Sequence, residues 1–213
     1  GSGTCNQNMH TDIAKTSTGV FYATMSSTTG SRGIWRSENG IDWVNITPTP
    51  LQTGTVNRIV LDVSPSDEDN VYFLANTPNR GTRAEPGISS NSEGNMLFKY
   101  TYISGNGTGS GGSWVDLTAN IPSDANAYFT YDSQGAYNMV VKVDPFDDDV
   151  VFIGGTNLFR STNGFTSTAQ TTQIGGYNPQ ASTRFNYRYP NHHPDVHALV
   201  FRPNQSGSRM YSA

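Results

Sequence analysis

Three imidazoles and a carboxylate fall within six residues near the end of the chain, in His192-His193-Pro194-Asp195-Val196-His197. His nitrogen and Asp oxygen are ligands that suit zinc and similar divalent ions. On an extended segment His193, Asp195 and His197 share one parity and therefore one face. That arrangement serves a metal ion, a catalytic step, or side chains that bond one another and the neighbouring backbone. Just upstream, Arg184-Phe185-Asn186-Tyr187-Arg188-Tyr189 alternates rings with Arg and Asn. If extended, it sets Phe185, Tyr187 and Tyr189 on one side. Such a platform, with Arg188 and Asn186 as adjacent donors, stacks on a sugar ring or seats a peptide, or is buried over neighbouring strands. Glycoside hydrolysis needs two carboxylates about 5 to 9.5 Å apart, for which Asp12 and Asp195 are the candidates. The acidic runs Asp67-Glu68-Asp69 and Asp147-Asp148-Asp149 read instead as solvated hairpin tips. No Ser/His/Asp order or phosphate-binding glycine loop stands in the context that either chemistry requires.

These groups must be carried by β-structure, because the chain repeats itself in hairpins. Arg36-Ser37-Glu38-Asn39-Gly40-Ile41 returns as Arg160-Ser161-Thr162-Asn163-Gly164-Phe165, each time after an apolar pair. Asn-Gly is a strong hairpin signal, since both residues tolerate the positive φ of a tight turn. A second repeat interleaves: the apolar runs 58–63, 139–143 and 198–201 each lead to a proline (Pro65, Pro145, Pro203), then a polar turn, then a second apolar run. Two hairpins make a four-stranded unit of roughly 45 to 60 residues, and such units in series read as propeller blades. The expected fold is all-β, with blades at about 10–50, 55–121 and 135–176 and an incomplete fourth at 195–213. No helix longer than about two turns is expected, because period-2 alternation recurs and the 3.6-residue period does not. Innermost strands begin at one face of a central channel, and the last of them is expected over 196–201. His10 and Asp12, Tyr137 and Asn138, and the segment 193–197 should therefore approach that face. The expected ligand-binding set is Tyr137, Asn138, Tyr187, Arg188, Tyr189, His193, Asp195 and His197.

The repeated turns resemble those of the Asp-box (BNR) β-propellers, which include sialidases, xyloglucanases and the sortilin lumenal domain. Their turn reads Ser-x-Asp-x-Gly-x-Thr-Trp. Ser37, Asn39, Gly40 and Trp43 follow it approximately, one residue short and with Asn for Asp, and the second copy keeps Ser161, Asn163 and Gly164. The resemblance implies that these residues are structural turns on the outer rim rather than chemistry. Gln134-Gly135-Ala136-Tyr137-Asn138, Val143-Asp144-Pro145 and Leu158-Phe159-Arg160-Ser161 are similar to secreted bacterial surface propellers, many exported by the type IX route. From about Asp12 onward the likeness implies an extracellular binding or structural module for a glycan or protein. A carbohydrate-active hydrolase is the alternative. The arginine triad and Phe-Arg-Ile-Pro start of sialidases, and the Gly- and Trp-rich surroundings of the xyloglucanase aspartate, are not in this chain.

Composition fits an extracellular setting: 14% of residues are charged, only three are lysines, and Ser, Thr, Asn and Gly dominate. A net charge of −4 without a basic stripe argues against nucleic acid. Cys5 is the single cysteine, so no internal disulfide forms. No apolar run of about 18 residues suggests a membrane span. The loops Thr77 to Asn95 and Ser104 to Gly112 read as flexible insertions. Propellers close with about four to eight blades, so further blades or a second chain are expected to cover the open edges. No cofactor is expected apart from the metal that His193, Asp195 and His197 would hold.

Overall fold

A computed structural model describes residues 11–26, 32–82, 93–123, 129–178, 189, 192–204 and 207–213. The fold is all-β. Strands β1 (Thr11–Lys15), β2 (Phe21–Met25), β3 (Gly33–Ser37) and β4 (Val44–Asn45) form one antiparallel sheet in sequence order. The second contains β5 (Arg58–Val63), β6 (Asn70–Asn76), β7 (Asn95–Tyr102) and β8 (Gly112–Asp116). The third contains β9 (Val140–Asp144), β10 (Asp147–Gly154), β11 (Leu158–Ser161) and β12 (Thr171–Gly175), and β13 (Leu199–Asn204) pairs with β14 (Gly207–Ser212) as a fourth. The one α-helix among the described residues, α1 (Thr49–Gln52), has four residues.

Alternation along the strands explains how the sheets stack. In β6 every residue is buried. Val71, Phe73 and Ala75 enter the apolar cluster shared with the first sheet, whereas Tyr72 and Leu74 enter the one shared with the third. A strand covered on both faces reads as a continuous apolar run because neither parity meets water. The third sheet is treated the same way, with Val151 and Ile153 on one side and Phe152, against β13, on the other. The second and third sheets thus each bury one face on the sheet before and one on the sheet after. Their first strands, β1, β5, β9 and β13, lie next to one another in that order.

Polar groups tie the series together. Thr24 accepts from Asp12 N at 3.1 Å and donates to Ile59 O on β5 at 2.7 Å. At the turns between first and second strands, Glu68 takes both the N–H and the hydroxyl of Ser17 at 2.7 Å. Asp148 takes Asn70 Nδ2 at 3.0 Å and Lys99 Nζ at 3.4 Å. These acidic turns were expected to be solvated tips; Glu68 and Asp148 instead reach back to the preceding sheet.

The repeated turns occupy equivalent places, between β3 and β4 and between β11 and β12. Ser37 donates to Asn39 Oδ1 at 3.2 Å, and that oxygen also accepts Ile41 N and Asp42 N at 2.8 Å. Ser161 likewise donates to Asn163 Oδ1 at 2.7 Å and accepts Phe165 N at 2.9 Å. Gly40 and Gly164 take φ of 75° and 61°, as a left-handed turn position requires. Trp43 closes the first copy by donating Nε1 to Gly40 O at 3.3 Å.

Two expectations are corrected. The last unit's first strand starts at Leu199, not at 196, because Asp195 takes φ of 80° and breaks the extended path. The Ser104–Gly112 stretch is tied down despite its glycines: Tyr100 donates its hydroxyl to Gly107 O at 2.6 Å, and Ser104 N reaches Gly111 O at 3.0 Å.

Candidate functional site

A cavity of about 350 Å³ opens where the first strands converge, lined by Asp12, Arg58, Asp62, Lys142, His197 and Leu199 among others. Its carboxylates are already engaged. Asp12 accepts Ile13 N at 2.9 Å and, across to the next sheet, Leu61 N at 3.0 Å. Asp62 repeats this one sheet further on, taking Val143 N at 2.9 Å, and adds Lys142 Nζ at 2.5 Å. Burial raises the Asp62 carboxyl above its ordinary pKa, against the pull of Lys142 and the Val143 N–H. Arg58 has no carboxylate partner among the described residues; its Nη1 donates to Ala136 O and Tyr137 O, both at 3.2 Å.

Those two carbonyls belong to a strained loop that enters β9. Gln134, Gly135 and Ala136 have φ of 49°, 68° and 81° in succession. Left-handed backbone costs a residue with a Cβ on the order of 1–3 kcal/mol and persists only where the surroundings fix it. Here Glu93, buried, supplies the fixing. Its Oε1 accepts Ser133 N at 3.1 Å, the Ser133 hydroxyl, Asn76 Nδ2 at 3.1 Å and Asn95 Nδ2 at 3.0 Å. Its Oε2 accepts Gly135 N at 2.9 Å. Asp132 holds Gln134 N at 2.7 Å. Burial, with the charges of Glu93 and Asp195 adding to it, pushes the Asp132 carboxyl up to about 6.

Asn138 then joins this loop to the His-rich segment. Its Nδ2 donates to Gln134 Oε1 and to Asp195 Oδ1, both at 2.8 Å, while its buried Oδ1 meets no partner among the described residues. Tyr137 is 66% exposed, and its ring meets His197 edge-on at 4.9 Å. The result is an exposed aromatic and imidazole pair, with Arg58 beneath, on a loop that buried carboxylates hold rigid.

The structure therefore brings Tyr137, Asn138, Asp195 and His197 together, and places Asp12 and His197 around one cavity. His193 is exposed, and the shared face expected for His193, Asp195 and His197 does not form. Residues 192–198 are not a strand, and the positive φ of Asp195 destroys the parity that the expectation rested on. No group of three or more His, Cys, Asp or Glu side chains among the described residues is placed to hold a metal. His192 acts as a fastener: Nδ1 accepts Gly176 N at 3.3 Å, which leaves Nε2 to donate to Ser212 Oγ at 2.9 Å. Tyr189 is exposed. Tyr187, Arg188, the rest of 184–188, His10 and Cys5 lie outside the described residues.

Sequence reasoning missed Glu93, Asp132 and Arg58. Glu93 sits in a Ser-, Gly- and Pro-rich stretch whose composition gives no sign of burial, and Ser133 is 40 positions away. No family model, curated protein or solved structure matches the chain. Among the described residues no helix is long and apolar enough to cross a membrane.

Proposed function

We propose that this chain is a segment of an extracellular β-propeller that acts as a binding module, its ligand a glycan or a protein held where the first strands converge. The four sheets are its blades and the 350 Å³ cavity is part of its channel. One observation carries the reading. Tyr137, from the loop entering the third sheet, and His197, from the segment entering the fourth, form an exposed ring pair beside that cavity, next to a backbone whose strain Glu93 and Asp132 offset. A preorganised surface of this kind lowers the ordering cost of binding. The Ser-, Thr-, Asn- and Gly-rich composition with few lysines supports the extracellular setting.

The same reading assigns partners to two uncovered faces. Val200 and Tyr211, a cross-strand pair, are 60% and 52% exposed on the side of the fourth sheet away from Phe152. Ile13 on β1 is 61% exposed. On β5, covered on both sides, Val60 and Leu61 are buried. Further blades, of a longer chain or a second one, are the surfaces that would cover Val200, Tyr211 and Ile13 in the same way.

Glycan and peptide arrays probed with the chain and its Tyr137→Ala and His197→Ala variants test the binding role. Both side chains are exposed, so the variants keep the fold. A ligand retained by the parent and lost by both variants supports the assignment. Equal retention by all three, or no ligand on either array, overturns it.

A further inference from the structure

We infer that a second site, in the groove between the outer strands of the first and second sheets, binds a neutral oligosaccharide. The groove measures about 580 Å³. β4 and α1 form one wall, and β8 with the Gly107–Gly112 loop forms the other. It is independent of the face at Tyr137 and His197, which lies at the first strands.

Trp114 is the platform. Its ring packs on Tyr100, Phe73 and Phe98 at centroid distances of 4.9, 5.4 and 6.2 Å, yet it remains half-exposed and lines the groove. Its indole N–H has no acceptor among the described residues. A ring fixed from behind and open in front offers a flat apolar surface at almost no ordering cost, which suits the C–H face of a sugar.

Polar groups flank the platform, each held by one bond and each keeping a function to spare. Asn45 Oδ1 accepts Thr47 N at 2.9 Å, leaving its Nδ2 as a donor. Gln52 Nε2 donates to Thr47 O at 2.9 Å, leaving its Oε1 as an acceptor. Asp116 Oδ1 accepts Thr118 N at 2.9 Å, leaving its second oxygen. Two guanidinium groups clamp the rim that carries Gln52. Arg80 donates to Pro50 O at 2.7 Å and Thr55 O at 3.0 Å, and Arg32 donates to Gly54 O at 2.5 Å and to Gln52 O.

Charge selects the ligand class. Among the described residues no Arg, Lys or His side chain lines the groove, and Asp116 does. An acidic or sulfated sugar would therefore lack a counter-ion and meet a like charge, whereas neutral hydroxyls pair with carboxamides and a carboxylate. Glycine backbone at 107, 109 and 112 forms part of the opposite wall and lets a ring approach closely.

Titrating the full chain with gluco-, manno- and xylo-hexasaccharides, followed by calorimetry and tryptophan fluorescence, is the test. At least one hexasaccharide should bind and change the fluorescence. Gln52→Ala and Asp116→Asn, neither of which touches the packing behind Trp114, should each weaken binding about tenfold. Trp114→Phe should remove the fluorescence change while Trp35 and Trp43 still report a folded protein. Three results would overturn the inference: no binding by any of the hexasaccharides, binding untouched by Gln52→Ala and Trp114→Phe, or occupation of the groove by an extended peptide instead.

Discussion

Asn138 and Asp195, 57 positions apart in the chain, meet through a 2.8 Å hydrogen bond from the Asn138 amide to Asp195 Oδ1. This bond joins the loop entering the third sheet to the segment entering the fourth. It also holds Asp195 at φ of 80°, which a residue with a Cβ adopts only when its surroundings require it. Asp195→Ala should therefore lose about 1–3 kcal/mol, from the bond and from an alanine forced into left-handed backbone. Asp195→Asn keeps an acceptor and tolerates that φ, and should lose far less. Denaturant melts of the two variants distinguish them.

Glu93 should matter more than any exposed residue of the site. Glu93→Gln replaces an acceptor-only group facing five donors with one that presents its own N–H₂. The expected loss is about 2–3 kcal/mol in unfolding free energy. Gln keeps one oxygen, which serves the four donors at Oε1, so faster amide exchange is expected at Gly135, whose N–H then faces the new N–H₂.

Acid should stabilise the loop through Asp132. Its folded carboxyl titrates at about 6 against 3.8 for the ordinary group, so between those pH values the folded state binds more protons than the unfolded one. The stabilising contribution is complete below about pH 4 and is lost as pH rises toward 6, by at most about 3 kcal/mol. Asp132→Asn, which retains an oxygen for Gln134 N, should flatten that part of the stability curve and raise stability at pH 7. Thermal melts between pH 4 and 7 on parent and variant are the check.

The two serine–asparagine turns should respond differently to one substitution. Among the described residues Asn163 Nδ2 bonds only a hydroxyl, Ser167 Oγ at 2.8 Å, which can turn to donate to a carboxylate. Asn39 Nδ2 bonds Asp42 Oδ2 at 2.9 Å. Asn163→Asp should leave stability within about 0.5 kcal/mol, while Asn39→Asp, which sets two carboxylates against each other, should cost about 1 kcal/mol. Melts at low and high salt separate the charge effect, since screening weakens the second cost only.

The parts of this fold legible in the sequence are those set by neighbours along the chain. Apolar runs leading to a proline mark the strands around Leu61 and Val141, and the Ser-x-Asn-Gly pattern marks both turns, because hairpin geometry is decided within a few residues. What depends on distant partners was not legible. The positive φ at Asp195 follows from Asn138, and the sequence alone, which cannot show that bond, places the strand's start at 196. The burial of Glu93 follows from donors on β6 and in the 133–135 loop. The anchoring of the Ser104–Gly112 stretch follows from the Tyr100 hydroxyl, which composition cannot reveal. Tyr137 and Asn138 stand out in the sequence at the start of a repeat, while Arg58, whose cation bonds the carbonyls of their loop, opens an apolar run that marks only a strand.

The most direct test of the binding face is nuclear magnetic resonance of the labelled chain, titrated with a ligand retained on the arrays. The expected result is a set of shifts centred on the Tyr137 ring, the His197 imidazole and the amides of 133–138 and 195–198, with Arg58 responding. Shifts confined to other surfaces, with Tyr137 and His197 unmoved at saturation, would contradict the account.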